Sequence, residues 1–446
     1  METAEFQTPR FRHVEYVLAC VLVLMKVNVL YGTWGKIQGF DWGSWIEMFH
    51  VTHWFRPMAP ANLWGATYHP PMSYLIGRLL FPLYPKEIEI SQVDSTLAIV
   101  VAFFSLRYVL RRIGCLWTLP GLWVLYGGIS IPMIVSLGVE TTYDSWVLGW
   151  FMLALAFSVS LFWDATTSSG WWRRNRFTRK LTALGLIFAA GQLNKYNGLL
   201  AFGLPFAIIA IRRGTSVRLQ EFMPPLVAVL IGVVVVVPFY YERNYKEMGQ
   251  WMPAAMDWQR KDDLSKVRAD RDAAPVAFVA RMLHYPSKAP DDPQEPVVDS
   301  FPHLSWLQTW TKDSCFGKQP EPSLTFSRCY QTTFAYTLLA GTVLFFARKR
   351  RIPRNWRDMG WLLLGITLVY SSLALTFGWK YPLWDWRVFK TKYMAPVVFW
   401  VPYASTVLFA DNWWLSIRCW CKELVDNLAL VALVAFVVIN HSLPVY

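Results

Sequence analysis

The sequence predicts an all-α polytopic membrane protein with about eleven transmembrane helices. Three observations predict it. Hydrophobic residues make up 54% of the 446 and charged residues only 16%, against about a quarter in soluble proteins. Apolar runs of about twenty residues, the length that crosses a bilayer, recur along the chain. The basic residues lie mainly in short clusters between those runs. Each span must satisfy its own backbone in lipid, so the spans are helices. The net charge of +13 would suggest nucleic acid in a soluble chain, but its placement makes it a topology signal, and nucleic-acid binding is set aside.

The elements follow in order. Arg10, Arg12 and His13 precede the apolar run Val17 to Met25 with no small-residue cleavage site after it, which predicts an uncleaved first helix from Val14 to Trp34. Lys26 and Asn28 within it are costly in lipid and are expected to face the protein interior, unless the lysine snorkels to the interface. Further spans are expected at Ser91–Leu110, Leu119–Gly138, Ser145–Trp163, Met223–Tyr240, Gln331–Ala347, Trp361–Phe377, Met394–Ala410 and Leu424–Asn440. The run Leu181–Ile211 is interrupted by "LNKYNG" and reads as two short helices meeting at a polar hairpin.

Orientation comes from the clusters. "RYVLRRIG", "WWRRNRFTRK", "IRRGTSVR", "RKRRIPRNWR" and "IRCWCK" fall on one side with Arg10 and Arg12, which predicts that side to be cytoplasmic. The other side then holds the loop 35–90, the loop 241–330, "KYPLWDWRVFKTKY" and two tight turns, "GVETTYDS" and "LNKYNG". The chain divides accordingly into an N-terminal catalytic module (1–240), a large external loop (241–330) and C-terminal helices (331–446). Cys315 and Cys329 lie in the large loop, where an oxidising compartment would permit a disulfide.

Asp41, Glu140, Asp144, Lys195, Lys390 and Lys392 all stand at outer helix ends or in the turns beside them. Acids and lysines on one face suit a reaction in which a phosphate leaves and a hydroxyl attacks. Lysine stabilises charge growing on the phosphate, and a carboxylate accepts the proton. Lys195 interrupts an apolar run, where an unpaired ammonium costs several kcal/mol, so it calls for a partner: a donor phosphate or a nearby acid. Glu140 and Asp144 are spaced to share a helix face, one holding acceptor or metal while the other caps. Lys390, Lys392 and Tyr393 would bind either phosphate or lipid headgroups.

"FDWGSW", "YHPPMSYLIG", "GVETTYDSW", "GQLNKYNGLLAFGLP" and "FKTKYMAPVVFWVPY" together resemble motifs of the GT-C superfamily of membrane glycosyltransferases. Among these the pattern is most similar to the protein O-mannosyltransferases and the lipid A aminoarabinose transferases. The likeness covers the N-terminal half well and the C-terminal half only at the last motif. Many relatives carry two adjacent acids in the first loop, whereas Asp41 is followed by Trp42. The resemblance implies a GT-C-like arrangement with external juxtamembrane helices. It implies Asp41 as catalytic carboxylate with Glu140 as the second acidic site, and Lys195, Lys390, Lys392 and Tyr393 at the donor phosphate. It places Tyr68, His69, Tyr143 and Asp144 at the substrate. The reaction implied is inverting transfer of a sugar from a polyprenyl-phosphate carrier to a lipid, polysaccharide or protein acceptor on the non-cytoplasmic face. Helix capping by Asp41 is the competing role.

No cofactor is identified from the sequence, and a divalent metal is left open. Glu47, His50 and His53 recur every three residues as candidate ligands, though the interleaved Trp45, Phe49, Trp54 and Phe55 equally suit an amphipathic helix on the bilayer surface. Most tryptophans belong to the interfacial aromatic belt. Two other functional classes fit eleven spans: a secondary transporter, which would carry its ionisable groups near the midplane and show repeated halves, and a non-catalytic subunit of a glycan-assembly complex. Short polar tails and no retrieval signal favour a bacterial inner membrane over the endoplasmic reticulum. Sugar, acceptor and oligomeric state are not legible.

Overall fold

The computed structural model describes residues 9–36, 45–46, 49–50, 71–82, 85–142, 144–164, 175–252, 265, 268–269, 271–283, 353–380, 395–396, 399–400, 402–403 and 419–442. Among them every regular element is helical and there is no strand. Among the described residues, seven helical stretches are long and apolar enough to cross a membrane: Phe11–Thr33, Glu87–Arg112, Ser145–Phe162, Tyr196–Ser216, Leu219–Val236, Arg354–Phe377 and Glu423–Ser442. The protein is an integral, multi-pass membrane protein. Of the other expected spans, Gln331–Ala347 and most of Met394–Ala410 lie outside the described residues.

Helix α1 (Pro9–Thr33) exposes Tyr16, Val17, Val23, Leu24 and Val27 to the surroundings and turns Leu18, Leu22 and Val29 inward. Lys26 reaches the interior, where its Nζ is buried. Asn28, expected to do the same, faces outward; two residues turn a helix by about 200°, so the two side chains cannot share a face. Gly35 (φ +67°) ends α1, and Gln92 clamps the exit by accepting from Gly35 N (3.1 Å) and donating to Thr33 O (2.8 Å) and Lys36 O (3.1 Å). A Cβ on Gly35 would also stand 3.1 Å from Glu89 Oε1. Gly35→Ala is therefore expected to cost about 1–2 kcal/mol, read as a lowered melting temperature in detergent.

Helix α2 (Met72–Leu80) is short and amphipathic. It packs with residues 45–46 and 49–50 and with the start of α3 (Glu87–Arg112) around Trp45, Phe49, Tyr74 and Ile90. Trp45 stacks on Phe49 (5.1 Å), and Arg78 lies 4.2 Å over Phe49 while donating to its carbonyl (2.7 Å).

The expected span Leu119–Gly138 is not one helix. It divides into α4 (Leu119–Leu122), a π-helical turn (Trp123–Gly127) and α5 (Pro132–Leu137). Proline lacks the N–H that would continue the ladder, and adjacent Gly127 and Gly128 weaken the helix just before it. Helix α6 (Ser145–Phe162) follows, then α7 (Asn175–Gln192), a 3₁₀ segment (Tyr196–Phe202) and α8 (Gly203–Arg213), which realise the expected hairpin. Next come α9 (Met223–Val236), α10 (Glu242–Met248), α11 (Pro275–Leu283), α12 (Arg354–Lys380) and α13 (Cys419–Ser442). In the bundle α3 packs along α6, α7 along α6 and α9, and α1 along α13.

The two ends of the bundle differ sharply. At one end the arginines meet. Arg107 pairs with buried Glu15 (2.6 Å), which also accepts from Trp117 Nε1 (2.8 Å), and Arg12 and Arg111 both lie over the Trp117 ring. Arg112 pairs with Asp164 (2.6 Å), and Arg212 joins Asp358 (2.7 Å), Asn355 (2.9 Å) and the carbonyl of Trp163 (3.0 Å). These contacts unite the start of α1, the ends of α3, α6 and α8, and the start of α12, as alternating spans require. Glu15→Ala leaves Arg107 without that carboxylate; because its side chain keeps 29% exposure, the expected loss is about 2–3 kcal/mol, below the ~3–5 of a fully buried pair. A detergent melting curve measures it.

Candidate functional site

The opposite end gathers Glu140, Asp144, Lys26 and Lys195. Its centre is the turn between α5 and α6. Carbonyls at and beyond the end of a helix need partners from outside it, and here hydroxyls of α3 and of Ser145 supply them. Thr96 Oγ1 donates to Gly138 O (2.7 Å) and Ser95 Oγ to Glu140 O (2.7 Å), while Ser145 Oγ donates to Leu137 O (2.9 Å). Hydroxyls of one helix thus hold the turn in place before α6 begins.

This overturns the expectation that Glu140 and Asp144 share a helix face. Glu140 lies in the turn, 2% exposed, with Oε1 accepting from Ser136 Oγ (2.9 Å). Lys26 of α1 reaches the same turn, its Nζ 3.3 Å from where a Cβ on Gly138 would stand. Asp144 occupies the N-cap place of α6, yet its side chain makes no capping bond. Instead, the fully buried carboxylate forms an ion pair with Lys195 and accepts from Thr142 Oγ1 (3.3 Å). Of the two partners open to Lys195 on sequence grounds, the structure supplies the acid.

The hairpin aims the lysine. Lys195 N donates to Gly191 O (3.0 Å) and its carbonyl accepts from Gly198 N (2.9 Å). A Cβ on Gly198 would stand 2.3 Å from the Gly191 carbonyl, so only glycine permits so close a return. Leu193 O accepts from Met72 N (2.8 Å), which docks α2 against the hairpin. A second cation stands nearby: Arg243 donates to Asn244 Oδ1 (2.6 Å) and lies 5.6 Å over the Tyr240 ring, and Asn244 Nδ2 donates to Tyr196 OH (3.4 Å). Burial lowers the Arg243 pKa, opposed by the nearby Tyr240 phenol and Glu247 carboxylate.

Asp41, Tyr68, His69, Tyr143, Lys390, Lys392 and Tyr393 lie outside the described residues, as do Cys315 and Cys329. So do Glu47 and His53; His50, the described member of that triad, is exposed, with Nε2 2.7 Å from Glu87 Oε1. Among the described residues no three His, Cys, Asp or Glu side chains group to hold a metal.

Three contributors escaped sequence reasoning. Asp94, fully buried in α3, accepts from Ser73 Oγ (3.0 Å) and Trp146 Nε1 (2.8 Å). Its signal was available, since a carboxylate within an apolar span is costly without partners. Gln92 and Arg243 left no such mark: a glutamine and an arginine at helix ends look like ordinary surface residues. Chemically, the arrangement offers a desolvated carboxylate, a lysine pre-aimed by its counter-ion and a further guanidinium, all at one end of the bundle.

No protein-family model matches the sequence, and no curated protein matches it. Solved structures do resemble it. The archaeal oligosaccharyltransferase AglB from Archaeoglobus fulgidus, in complex with an inhibitory peptide and a dolichol-phosphate, aligns with 96% of this chain at 13% identity and a TM-score of 0.48. The alignment covers 55% of that protein, so the chain spans about half its length. ArnT from Cupriavidus metallidurans aligns with 89% of this chain and 78% of its own, at 15% identity and TM-score 0.40 in the apo state. Bound to undecaprenyl phosphate, it aligns at 16% identity and TM-score 0.41. At such identities no residue is assigned a role.

Proposed function

We propose that this protein is a membrane glycosyltransferase that moves a sugar from a polyprenyl-phosphate carrier to an acceptor at the non-cytoplasmic face. The observation that carries the reading is the buried Asp144–Lys195 ion pair beside Glu140, at the bundle end opposite the cluster of Arg12, Arg107, Arg111, Arg112 and Arg212. A positive-inside orientation puts that end outside the cytoplasm. There a carrier's isoprenoid tail stays in hydrocarbon while its headgroup meets the turns.

In the proposed reaction an acceptor hydroxyl or amine attacks the anomeric carbon, the bond from that carbon to the phosphate oxygen breaks, and configuration inverts. Asp41 takes the acceptor proton as general base. It lies five residues beyond Lys36, whose carbonyl Gln92 holds, so the chain tethers it within about 18 Å of that anchor. Lys195 meets the charge growing on the departing phosphate, assisted by Lys390, Lys392 and Tyr393. Asp144 holds Lys195 in place through their ion pair, and Glu140, Tyr68, His69 and Tyr143 contact the sugar or acceptor.

The transporter reading is weaker because the candidate site groups Glu140, Asp144 and Lys195 gather at one end rather than at the midplane. Mass spectrometry of lipid co-purified with the protein tests the proposal directly. A polyprenyl-phosphate sugar is expected; its absence, with substrate accumulating in proteoliposomes and no covalent product, would favour transport.

A further inference from the structure

One carboxylate joins the two acid-bearing segments of this site. Asp94 Oδ2 accepts from Ser73 Oγ (3.0 Å), and that hydroxyl in turn accepts from Trp45 Nε1 (3.4 Å). Its other oxygen accepts from Trp146 Nε1 (2.8 Å). Trp45, Ser73 and Asp94 are fully buried and Trp146 is 4% exposed, so water does not compete for these bonds. The chain positions matter. Trp45 follows Asp41 by four residues, and Trp146 follows Asp144 by two. Both indoles are seated from behind: Trp45 on Gly77, where a Cβ would stand 3.1 Å from the ring, and Trp146 stacked on Trp150 at 4.9 Å.

We infer that Asp94 is a positioning residue that sets the spacing between the Asp41-bearing segment and the Glu140–Asp144 turn. It does so together with its neighbours on α3. Gln92 clamps the start of the first external segment, and Ser95 and Thr96 hold the turn, so one stretch of α3 grips both sides of the site. An indole N–H only donates, so Trp146 requires an acceptor at this point. Ser73 passes its proton on to the same carboxylate while receiving the one from Trp45. An apolar residue at 94 would leave Trp146 without its acceptor and unpin Ser73, to which Trp45 donates, loosening the external segment from α6. Asparagine keeps an acceptor for Trp146, and its amide can donate to the second lone pair of Ser73, so it should largely preserve the arrangement. That graded response separates positioning through hydrogen bonds from a need for charge.

The inference rests on the reading above only in calling the two segments catalytic; the spacing itself is measurable without it. The full chain in nanodiscs carries spin-label amino acids at exposed His50 and at exposed Tyr245 of α10, which Asn244 joins to Tyr196 beside Lys195, the partner of Asp144, and the distance distribution between them is recorded by pulsed electron paramagnetic resonance. The parent should give a narrow distribution. Asp94→Ala should shift or broaden it, Trp146→Phe, which removes the donor and shrinks the indole to a phenyl ring, should broaden it less, and Asp94→Asn should stay close to the parent. Parent-like distributions in both Asp94→Ala and Trp146→Phe would overturn the inference. Should Asp94→Ala fail to fold, Trp146→Phe decides alone. Absence of any sugar transfer by the parent protein would instead sink the functional proposal and leave this result untouched.

Discussion

Asp41→Asn is expected to abolish sugar transfer while leaving membrane insertion and thermal stability unchanged. The substitution discriminates sharply between the two roles open to this residue. Asparagine caps helices as well as aspartate does, so if Asp41 only ends a helix, the variant should behave as the parent within a few tenths of a kcal/mol. If it accepts the acceptor proton, the amide cannot replace it, and the rate should fall by about 10²–10⁴-fold. The measurement is transfer of radiolabelled sugar from the co-purified carrier by parent and variant at matched concentration. Wild-type turnover would remove Asp41 from the mechanism.

The second large effect is expected at the ion pair. Lys195→Met strands the carboxylate of Asp144, which is fully buried, and losing one partner of a buried pair costs roughly 3–5 kcal/mol. The single variant should therefore melt early and lose transfer. In Lys195→Met combined with Asp144→Asn the stranded charge is gone, and stability should return to near the parent's. Activity should not return, because the departing phosphate still lacks its cation. Melting curves and transfer assays on the three proteins separate these outcomes. A double variant that regains transfer would reduce Lys195 to a structural counter-ion.

Particular residues show what was legible beforehand and what was not. Lys195 could be singled out because an ammonium within an apolar run is expensive, and the same expense called for a partner. Which partner it takes was not legible: Asp144 lies 51 residues away in the chain, and only the packing of α6 against α7 and the hairpin brings them together. Glu140 and Asp144 were recognisable as site acids by residue type and place, but their spacing suggested a shared helical face. The turn exists because Ser95 and Thr96 of α3 take the carbonyls that would otherwise invite the helix onward. Asp94 was visible as an acid in the wrong solvent, though its role as a junction depends on three separate segments.

The sequence by itself determined the solvent and, among the described residues, where most of the spans lie. Apolar run length, backbone satisfaction in lipid and the placement of basic residues depend on local composition, and a linear reading captures them. Only the tertiary structure decided which buried charges meet, where the span before α6 breaks, and how α3 grips both sides of the site. Those outcomes depend on distances between residues far apart in the chain, and the cost of burying an unmatched polar group is settled only when its neighbours arrive.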